Sequence, residues 1–345
     1  MLLPVKLGFR MPAEWEKRLR TFMEWPIREE IWSHGLENAK KGYSQVAKVI
    51  AEFEEVIMIA RADMVEEAKR MCGEKVKVVP MEHDDSWIRD NGPTFIINSK
   101  GELAGVNWKF NAWGEKYTPY DKDDKVAEKV LELYEIPRFD APIVLEGGSI
   151  HVDGEGTLIT TEECLLNRKR NPHLTRGHIE EVLTEYLAVE KVIWLKKGLY
   201  GDETDGHVDN VACFAKPGTI VIQVCRNRED PNYMITIENL KLLENARDAK
   251  DRMFEIIQIE QPPARYLNGE RLTLSYINYY PVEGGIILPV FGGDAEHTDK
   301  EAIKILQDIY PYRKIVPVDG MPIIKGGGNV HCITQQMPYG SPAKL

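Results

Sequence analysis

The stretch HVDNVACFAKPGTIVIQVC (residues 207–225) carries two apolar, β-branched runs on either side of the turn signal KPGT. This pattern predicts a β-hairpin. Three further stretches have the same form, each with its own central turn signal: TFIINSKGELAGVNWKF (94–110), SIHVDGEGTLITT (149–161) and LSYINYYPVEGGIILPV (274–290). The sequence therefore predicts a series of hairpins beyond residue 90.

Helix and strand patterns alternate with these hairpins. In RGHIEEVLTEYL (176–187) the apolar residues fall on one helical face, and residues 302–309 repeat the pattern. Strand patterns follow at KVIWL (191–195), FEIIQI (254–259) and KIVPV (314–318), and the first ninety residues add a helix near 42–51 and strands at 54–60 and 75–80. This ββαβ rhythm has a period of about 50 to 65 residues. We expect an α/β fold in which residues 1–345 form a single domain of five repeats, stacked or arranged radially.

The predicted repeats also resemble one another where each hairpin begins. EGGSIHVD (146–153) parallels GGGNVHCI (326–333), DNGPTF (90–95) parallels DNVACF (209–214), and His-Val-Asp occurs at both 151–153 and 207–209. If the units surround a common axis, these entry points converge there. Residues far apart in the sequence would then form one site.

Bulk composition restricts the classes of partner. The chain has 345 residues, 43% of them hydrophobic, and a formal net charge of −11. An acidic balance argues against a nucleic acid or an anionic membrane as the main partner and suits a cationic substrate. No apolar run approaches the length of about 20 residues that a membrane span needs, and the first residues lack a leader pattern, so we expect a cytoplasmic protein. The five cysteines form no CxxC pair, which indicates neither a disulfide framework nor a zinc ribbon.

Five residues at the predicted entry points have complementary chemistry: Asp90, Glu146, His207, Asp209 and Cys332. A cysteine can act as a nucleophile, a histidine can protonate a leaving amine and then activate water, and carboxylates can bind a cation. Together these roles suit attack on a guanidinium, a planar cation whose N–H groups match carboxylates bidentately. The glycines at 326–328 would let the chain approach closely beside Cys332.

Other uses of the same residues remain open. A lone cysteine is most often a buried apolar residue, which is the interpretation we give Cys72, Cys164, Cys213 and Cys225. The two His-x-Asp pairs, with Glu146 and Cys332, could instead ligate zinc or iron in a metal-dependent hydrolase. The absence of an HExxH motif and the position of Arg89 beside Asp90 argue against that alternative. A third alternative is a propeller that only binds other molecules.

The chain resembles the agmatine deiminases, which belong with the bacterial-type peptidylarginine deiminases in the guanidine-modifying (pentein) superfamily. The resemblance rests on stretches spread over nearly the whole chain, in order: RMPAEWE (10–16), DDSWIRDNGPTF (84–95), EGGSIHVDGEGT (146–157), CLLNRKRNPHLT (164–175), DGHVDN (205–210) and GGGNVHCITQQMP (326–338). It implies a five-bladed α/β propeller with the site on its axis.

The same resemblance implies a role for each residue that matches the motifs. The nucleophile falls on Cys332, the general acid/base on His207, the guanidinium-binding carboxylates on Asp90 and Asp209, and a supporting acid that contacts substrate on Glu146. It implies conversion of agmatine to N-carbamoylputrescine and ammonia through a thiouronium on the cysteine, in the context of polyamine synthesis. It also implies that neither a metal nor an organic cofactor takes part.

Substrate specificity depends on what binds the end of the substrate remote from the guanidinium. The amine end of agmatine needs an acid or an aromatic face, and the candidates are Asp84, Asp85, Glu203, Asp205, Trp87 and Trp113. Free arginine or peptidyl-arginine are alternative substrates, and Arg89 is expected to brace a neighbouring acid rather than bind a carboxylate. The loop at residues 196–206 is a candidate lid. A homo-oligomer is compatible with the sequence.

Overall fold

The computed structural model of the chain describes residues 3–32 and 35–345. Its β-strands, in chain order, are β1 (Arg18–Glu24), β2 (Glu55–Ala60), β3 (Val76–Pro80), β4 (Thr94–Ile97), β5 (Glu102–Lys109), β6 (Arg138–Val144), β7 (Ile150–Val152), β8 (Thr157–Thr161), β9 (Lys191–Leu195), β10 (Ala212–Lys216), β11 (Thr219–Val224), β12 (Glu255–Glu260), β13 (Tyr266–Leu267), β14 (Glu270–Arg271), β15 (Tyr280–Val282), β16 (Gly285–Val290), β17 (Lys314–Asp319), β18 (Gln335–Pro338) and β19 (Ser341–Pro342). The α-helices are α1 (Leu36–Ile50), α2 (Val65–Cys72), α3 (Ile88–Asn91), α4 (Ala112–Glu115), α5 (Val126–Leu133), α6 (Glu162–Leu165), α7 (Arg176–Leu187), α8 (Asn232–Asn245), α9 (Glu296–Ile309) and α10 (Met321–Ile324).

Three sheets share one topology. In β7-β8-β9, β10-β11-β12 and β15-β16-β17 the first two strands form an antiparallel hairpin and the third pairs in parallel with the second. Helices α7, α8 and α9 lie in the chain before the respective third strands, because a parallel connection needs a crossover. This is the predicted ββαβ unit, and the mixed α/β fold is confirmed.

The other two large sheets vary the unit. Strands β4 and β5 form a hairpin, and β5 also pairs in parallel with β6. In the sheet β18-β1-β2-β3, β18 pairs antiparallel with β1 and so joins the two ends of the chain, with Phe22 opposite Gln335. The sequence did not predict β1 or its pairing with β18, since no local pattern reports a contact across more than 300 residues.

Two predicted hairpins begin later than expected. Strand β10 starts at Ala212 rather than near residue 207, and β15 starts at Tyr280 rather than near 274. In the second case, side chains replace strand partners. The Ser275 hydroxyl accepts a hydrogen bond from the main-chain N–H of Ile277 at 3.0 Å, and Oε1 of Gln223 accepts one from the main-chain N–H of Tyr276 at 3.1 Å. The segments before β10 and β15 therefore lie outside the sheets, and they place polar side chains in the interior.

Helices cover the sheets through apolar faces. Ile179, Leu183 and Leu187 of α7 are buried in one core cluster with Leu158 of β8, and burying each such side chain contributes about 1.5 to 3 kcal/mol. Helix α9 packs in the same way, through Ala302 and Leu306. The segments that precede the hairpins are therefore anchored to well-packed elements. Among the described residues, no helix is both long enough and apolar enough to cross a membrane.

Candidate active site

The structure brings together all five residues of the predicted cluster. Asp90 lies in α3 ahead of β4, Glu146 ahead of β7, His207 and Asp209 ahead of β10, and Cys332 ahead of β18. Each is at most 4% exposed. The convergence predicted from the entry points is therefore present in the fold.

The Cys332 thiol sits between a carboxylate and an amide. Its Sγ lies 3.4 Å from Oδ2 of Asp209 and 3.2 Å from Nδ2 of Asn278. Burial, and then the negative charges of Asp209 and Asp90, raise the pKa of this thiol well above its usual range. The unliganded site therefore favours the neutral thiol, and a cation is needed to stabilise the thiolate.

His207 is buried and poised between two acids. Its Nδ1 lies 3.7 Å from Oδ1 of Asp90 and its Nε2 lies 3.7 Å from Oε2 of Glu146. Among the residues that the structure describes, neither ring nitrogen has a hydrogen-bond partner. Although burial lowers the pKa of His207, the charge of Asp90 and then the contacts with Cys164 and Glu146 raise it well above its usual value. The imidazole is thus held protonated with its N–H groups available.

Glu146 is fixed by an arginine that the sequence did not single out. Nε of Arg170 donates to Oε1 of Glu146 at 2.8 Å, and both side chains are fully buried. Burial opposes ionisation, but the Arg170 charge and the His207 contact lower the pKa of Glu146 to about 2. The rest of the Arg170 guanidinium binds the carboxylate of Asp205 and the carbonyl oxygen of Thr204. Arg170 therefore connects Glu146 to the loop at 196–206.

Asp90 and Asp209 place two buried carboxylates near the thiol. Asp90 accepts hydrogen bonds at 2.9 Å from the Trp113 indole and from the main-chain N–H of Gly148. Burial raises the pKa of Asp90. In Asp209, burial is outweighed by the hydrogen bond from His331, and the pKa is lowered. Oδ1 of Asp209 has no hydrogen-bond partner within the described part of the chain.

A narrow pocket opens beside the thiol. It is lined by aromatic and acidic side chains, by glycines and by the thiol itself: Ile31, Asp85, Trp87, Asp90, Trp113, Tyr117, Glu203, Thr204, Gly326, Gly327, Gly328 and Cys332. Trp87 and Trp113 therefore lie where the sequence predicted. Asp84 does not line the pocket, because its Oδ2 accepts the main-chain N–H of Lys122; its neighbour Asp85 lines it instead.

The glycine run before Cys332 is required by close approach. A Cβ at Gly328 would lie 2.6 Å from the Trp87 ring and 2.8 Å from the Cys332 Cβ. Gly327 has a φ of +106°, which side chains rarely adopt. The glycines therefore let the backbone wrap around the pocket next to the thiol.

The loop at residues 196–206 borders this pocket through Glu203 and Thr204. The Tyr117 hydroxyl donates to the Glu203 carboxylate. Nζ of Lys116 binds Oδ1 of Asp205 at 2.7 Å. The loop is thus attached to the segment around residues 116–117.

Sequence reasoning missed several residues of the site, among them Asn278 and Arg170. Asn278 lies inside the stretch that was predicted as a strand, where alternation suggested only a packing role. Arg170 is one of several cations in NRKR (167–170), and only its burial separates it from its neighbours. Arg89, as expected, braces an acid: its Nη1 lies 3.3 Å from Oε1 of Glu14, although the sequence did not indicate which acid.

One set of residues has the spacing of a metal site. Ligand atoms of Glu146, Cys164 and His207 lie within 4.8 Å of one another in the described chain. It is not the set proposed from the sequence, which used Cys332 and the His-x-Asp aspartates. Arg170 already binds Glu146 and His207 is held protonated, so both groups oppose a second cation there.

A mixed α/β fold with a buried thiol, an imidazole and three carboxylates in its interior defines a class of proteins with a cysteine-centred site. The chain belongs to the Porphyromonas-type peptidyl-arginine deiminase family, whose model matches residues 10–338. It is 47% identical over 355 residues to an agmatine deiminase from Pseudomonas aeruginosa, covering 96% of each chain. It is 46% identical to an agmatine deiminase from Pseudomonas syringae pv. tomato, again covering 96% of each.

A solved structure agrees with this family. The agmatine deiminase of Enterococcus faecalis superposes with a TM-score of 0.94 and 36% identity, covering 98% of both chains. The similarity therefore extends over the whole fold and is not confined to the motifs around the pocket.

Proposed function

We propose that this protein hydrolyses agmatine to N-carbamoylputrescine and ammonia through a covalent intermediate on Cys332. The observation that carries the proposal is the buried thiol in contact with Asp209, near Asp90 and the imidazole of His207, whose ring nitrogens have no hydrogen-bond partner among the described residues. The similarity to agmatine deiminases over the full chain supports the same substrate.

The two aspartates bind the guanidinium in this proposal. Oδ1 of Asp209, which has no hydrogen-bond partner among the described residues, can accept its N–H groups, and Asp90 lines the pocket. A guanidinium matches carboxylates in a planar fork, which orients its central carbon toward Sγ of Cys332. The substrate cation also stabilises the thiolate, whose formation the two acids otherwise oppose.

The reaction then proceeds in two halves. As the guanidinium binds, the Cys332 thiol loses its proton to solvent and the thiolate attacks the guanidinium carbon; a C–S bond forms, and one C–N bond breaks as His207 donates a proton to the departing ammonia. Water then attacks the resulting S-alkylthiouronium; one of its protons passes to the now neutral His207, the C–S bond breaks to release the ureido product, and the second proton returns to the Cys332 sulfur. Glu146 orients His207 in both halves and favours its protonated form, which donates the proton in the first half and is restored in the second.

The pocket favours agmatine over free arginine. Three acids (Asp85, Asp90 and Glu203) line it, and among the described residues no lysine or arginine does. A second positive charge, as on the agmatine amine, therefore finds a carboxylate, whereas the α-carboxylate of arginine would meet like charge. Glu203 and the faces of Trp87 and Tyr117 are the contacts we assign to the amine end.

We further infer that the five mixed sheets are the blades of a propeller in one domain spanning residues 1–345. The support is the position of one site residue in each sheet. Four of these residues precede the first strand of a hairpin (β4, β7, β10 and β15), namely Asp90, Glu146, His207 and Asn278, and Cys332 precedes β18. Such a set meets at one point when the sheets are arranged around a common axis.

The test is ammonia release from agmatine, free arginine and an arginine-containing peptide, each with and without EDTA and iodoacetamide. We expect turnover of agmatine that is indifferent to EDTA and lost on alkylation. Turnover of the peptide with none of agmatine would contradict the assigned substrate. Loss of activity to EDTA, restored by added metal, would contradict the cysteine mechanism and favour the Glu146–Cys164–His207 set.

A further inference from the structure

A buried chain of charged side chains contacts Asp209 and lines a cavity other than the substrate pocket. Nδ1 of His331 lies 2.9 Å from Oδ2 of Asp209, and its Nε2 lies 2.7 Å from Oε1 of Glu14. The His331 ring is 2% exposed and Glu14 is 5% exposed. Since both ring nitrogens face carboxylate oxygens, both carry hydrogen and the ring is an imidazolium.

Glu14 is in turn held by charges from two other elements. Nη1 of Arg89 lies 3.3 Å from its Oε1, and Nε2 of His151 lies 3.6 Å from its Oε2. Although burial raises the pKa of Glu14, the charges of His331 and Arg89 and the contact with His151 lower it well below its usual range. The chain Arg89–Glu14–His331–Asp209 therefore alternates in sign and remains ionised inside the protein.

None of these supporting residues lines the substrate pocket. Glu14, His151 and His331 line a separate internal cavity, with Asp209 on its wall. Asp209 does not line the substrate pocket either, and it reaches the site through Cys332, whose Sγ lies 3.4 Å from its Oδ2. The hydrogen bond from His331 goes to Oδ2 of Asp209. Oδ1 has no hydrogen-bond partner among the described residues and can still accept one.

We propose that His331, held by Glu14, is a positioning residue that fixes the rotamer of Asp209 and keeps it ionised, so that Oδ1 is presented to the substrate guanidinium. This inference rests on the proposed function, because it assigns Asp209 to substrate binding. It also gives a role to the N-terminal segment around Glu14 and to the histidine directly before the nucleophile.

The protonation of Asp209 depends on every charged group around it. Those that face Asp209, His331 or Glu14 from the packed elements are Asp90, His207, Cys332, Arg89, His151, Cys213 and Asp202. Asp90, Asp202 and the thiolate form of Cys332 oppose ionisation of Asp209. The positive charges of His331, Arg89 and His207 favour it, and His331 is the one that also donates a hydrogen bond.

The test compares two substitutions of one histidine. His331→Asn keeps an N–H donor near the position of Nδ1, whereas His331→Gln places its amide near Nε2 and removes the donor to Asp209. In H331Q we expect KM for agmatine to rise about 10- to 100-fold, the loss typical of a hydrogen bond to a charged group. The acidic limb of kcat/KM should move to higher pH, because Asp209 protonates more easily without the imidazolium.

H331N should show smaller changes in the same direction. His83→Asn is the control for loss of a buried histidine, since the ring nitrogens of His83 contact main-chain oxygens of Met81 and Trp25 instead of a carboxylate. It should leave the acidic limb in place. Equal losses at every pH in H331Q, or an H331N variant no better than H331Q, would overturn the proposal.

A second measurement does not depend on turnover. In the free wild-type protein, proton NMR should show two downfield imidazole N–H resonances that disappear in H331N, and Glu14→Gln should shift the one from Nε2. If the two resonances are present but agmatine is not hydrolysed, the proposed function is wrong and the ionic chain is still supported. If agmatine is hydrolysed but they are absent, the positioning role fails. If H331Q does not fold, E14Q replaces it in the kinetic test, and we then expect a smaller shift of the acidic limb of kcat/KM to higher pH.

Discussion

At Cys332 the environment opposes the reactive form of the side chain. The thiol is buried beside Asp209 and Asp90, and these charges disfavour a second anion. A cationic substrate removes that conflict, because it binds the same carboxylates and neutralises them. In the proposed reaction the nucleophile therefore forms when the guanidinium binds.

Cys332→Ala should lower ammonia release from agmatine by more than about 1,000-fold, because no other group can form the covalent intermediate. Binding of agmatine, measured by calorimetry, should change little, since the binding carboxylates remain. Cys225→Ala is the matched control, a buried cysteine at the end of β11 that should keep full turnover. Appreciable activity in C332A would contradict the mechanism.

Glu203→Gln should raise KM for agmatine about tenfold or more with little change in kcat, since it removes a charge opposite the amine end but leaves the reacting atoms untouched. Steady-state kinetics on agmatine provides the measurement. Glu270→Gln is the control, because Glu270 lines the wider adjoining cavity but not the narrow pocket. The same KM in E203Q and E270Q would place the amine end elsewhere.

At the scale of elements, the segments ahead of the hairpins carry the site. They are short turns, such as Val208–Asn210 and Gly147–Ser149, and side chains rather than strand partners satisfy part of their backbone. Packed strands and helices follow each of them. This arrangement separates the rigid part of each repeat from the part that supplies chemistry.

Gly328→Ala should reduce kcat/KM for agmatine by about tenfold or more, because the added methyl group displaces Trp87 or Cys332 by several tenths of an ångström. The unfolding temperature should fall much less than the activity. Gly177→Ala in α7 is the matched control: its Cβ would meet only Thr175 Oγ1 at 3.9 Å, so activity should be unchanged. Full activity in G328A would show that the close approach does not matter for the reaction.

At the scale of the whole molecule, the interior holds many acids with opposite tendencies. Glu14, Glu146 and Asp209 have lowered pKa values because cations contact them, whereas Glu24, Asp85 and Asp123 have raised pKa values because burial dominates. The first group stabilises the fold above about pH 4, and this contribution is lost as pH falls through the folded-state pKa values. The carboxyls of the second group stabilise the folded state while they are protonated, and this contribution is lost as pH rises and they ionise.

Asp85→Asn tests the second group. Burial raises the pKa of Asp85 from 3.8 to about 7 despite Arg28 at 3.3 Å. The native state therefore binds more protons than the unfolded state between these values, and wild-type stability declines as pH rises from about 4 to 7. The difference in melting temperature, D85N minus wild type, should therefore be more positive at pH 8 than at pH 5.

Calorimetric melting across this pH range measures the difference. Asp63→Asn, which removes a carboxylate that is 65% exposed, is the control and should track wild type at each pH. A constant offset between D85N and wild type from pH 5 to 8 would contradict the assigned titration.

The sequence by itself determined the repeating unit and the chemical groups of the candidate site. Hairpins, helices and third strands follow from local periodicity and turn residues, and these interactions act over a few residues. Asp90, Glu146, His207, Asp209 and Cys332 could be chosen because they stand at equivalent points of that unit. Their catalytic roles remain predictions that the variants above test.

Only the tertiary structure decided which side chains meet. The pairing of β1 with β18, the contact of Asn278 with the thiol, the Arg170–Glu146 pair and the chain from Glu14 through His331 to Asp209 all join residues distant in sequence. Of the two neighbouring candidates Asp84 and Asp85, it placed only Asp85 at the pocket. Such contacts depend on the direction in which each side chain leaves a packed element, and no local pattern in the sequence records that direction.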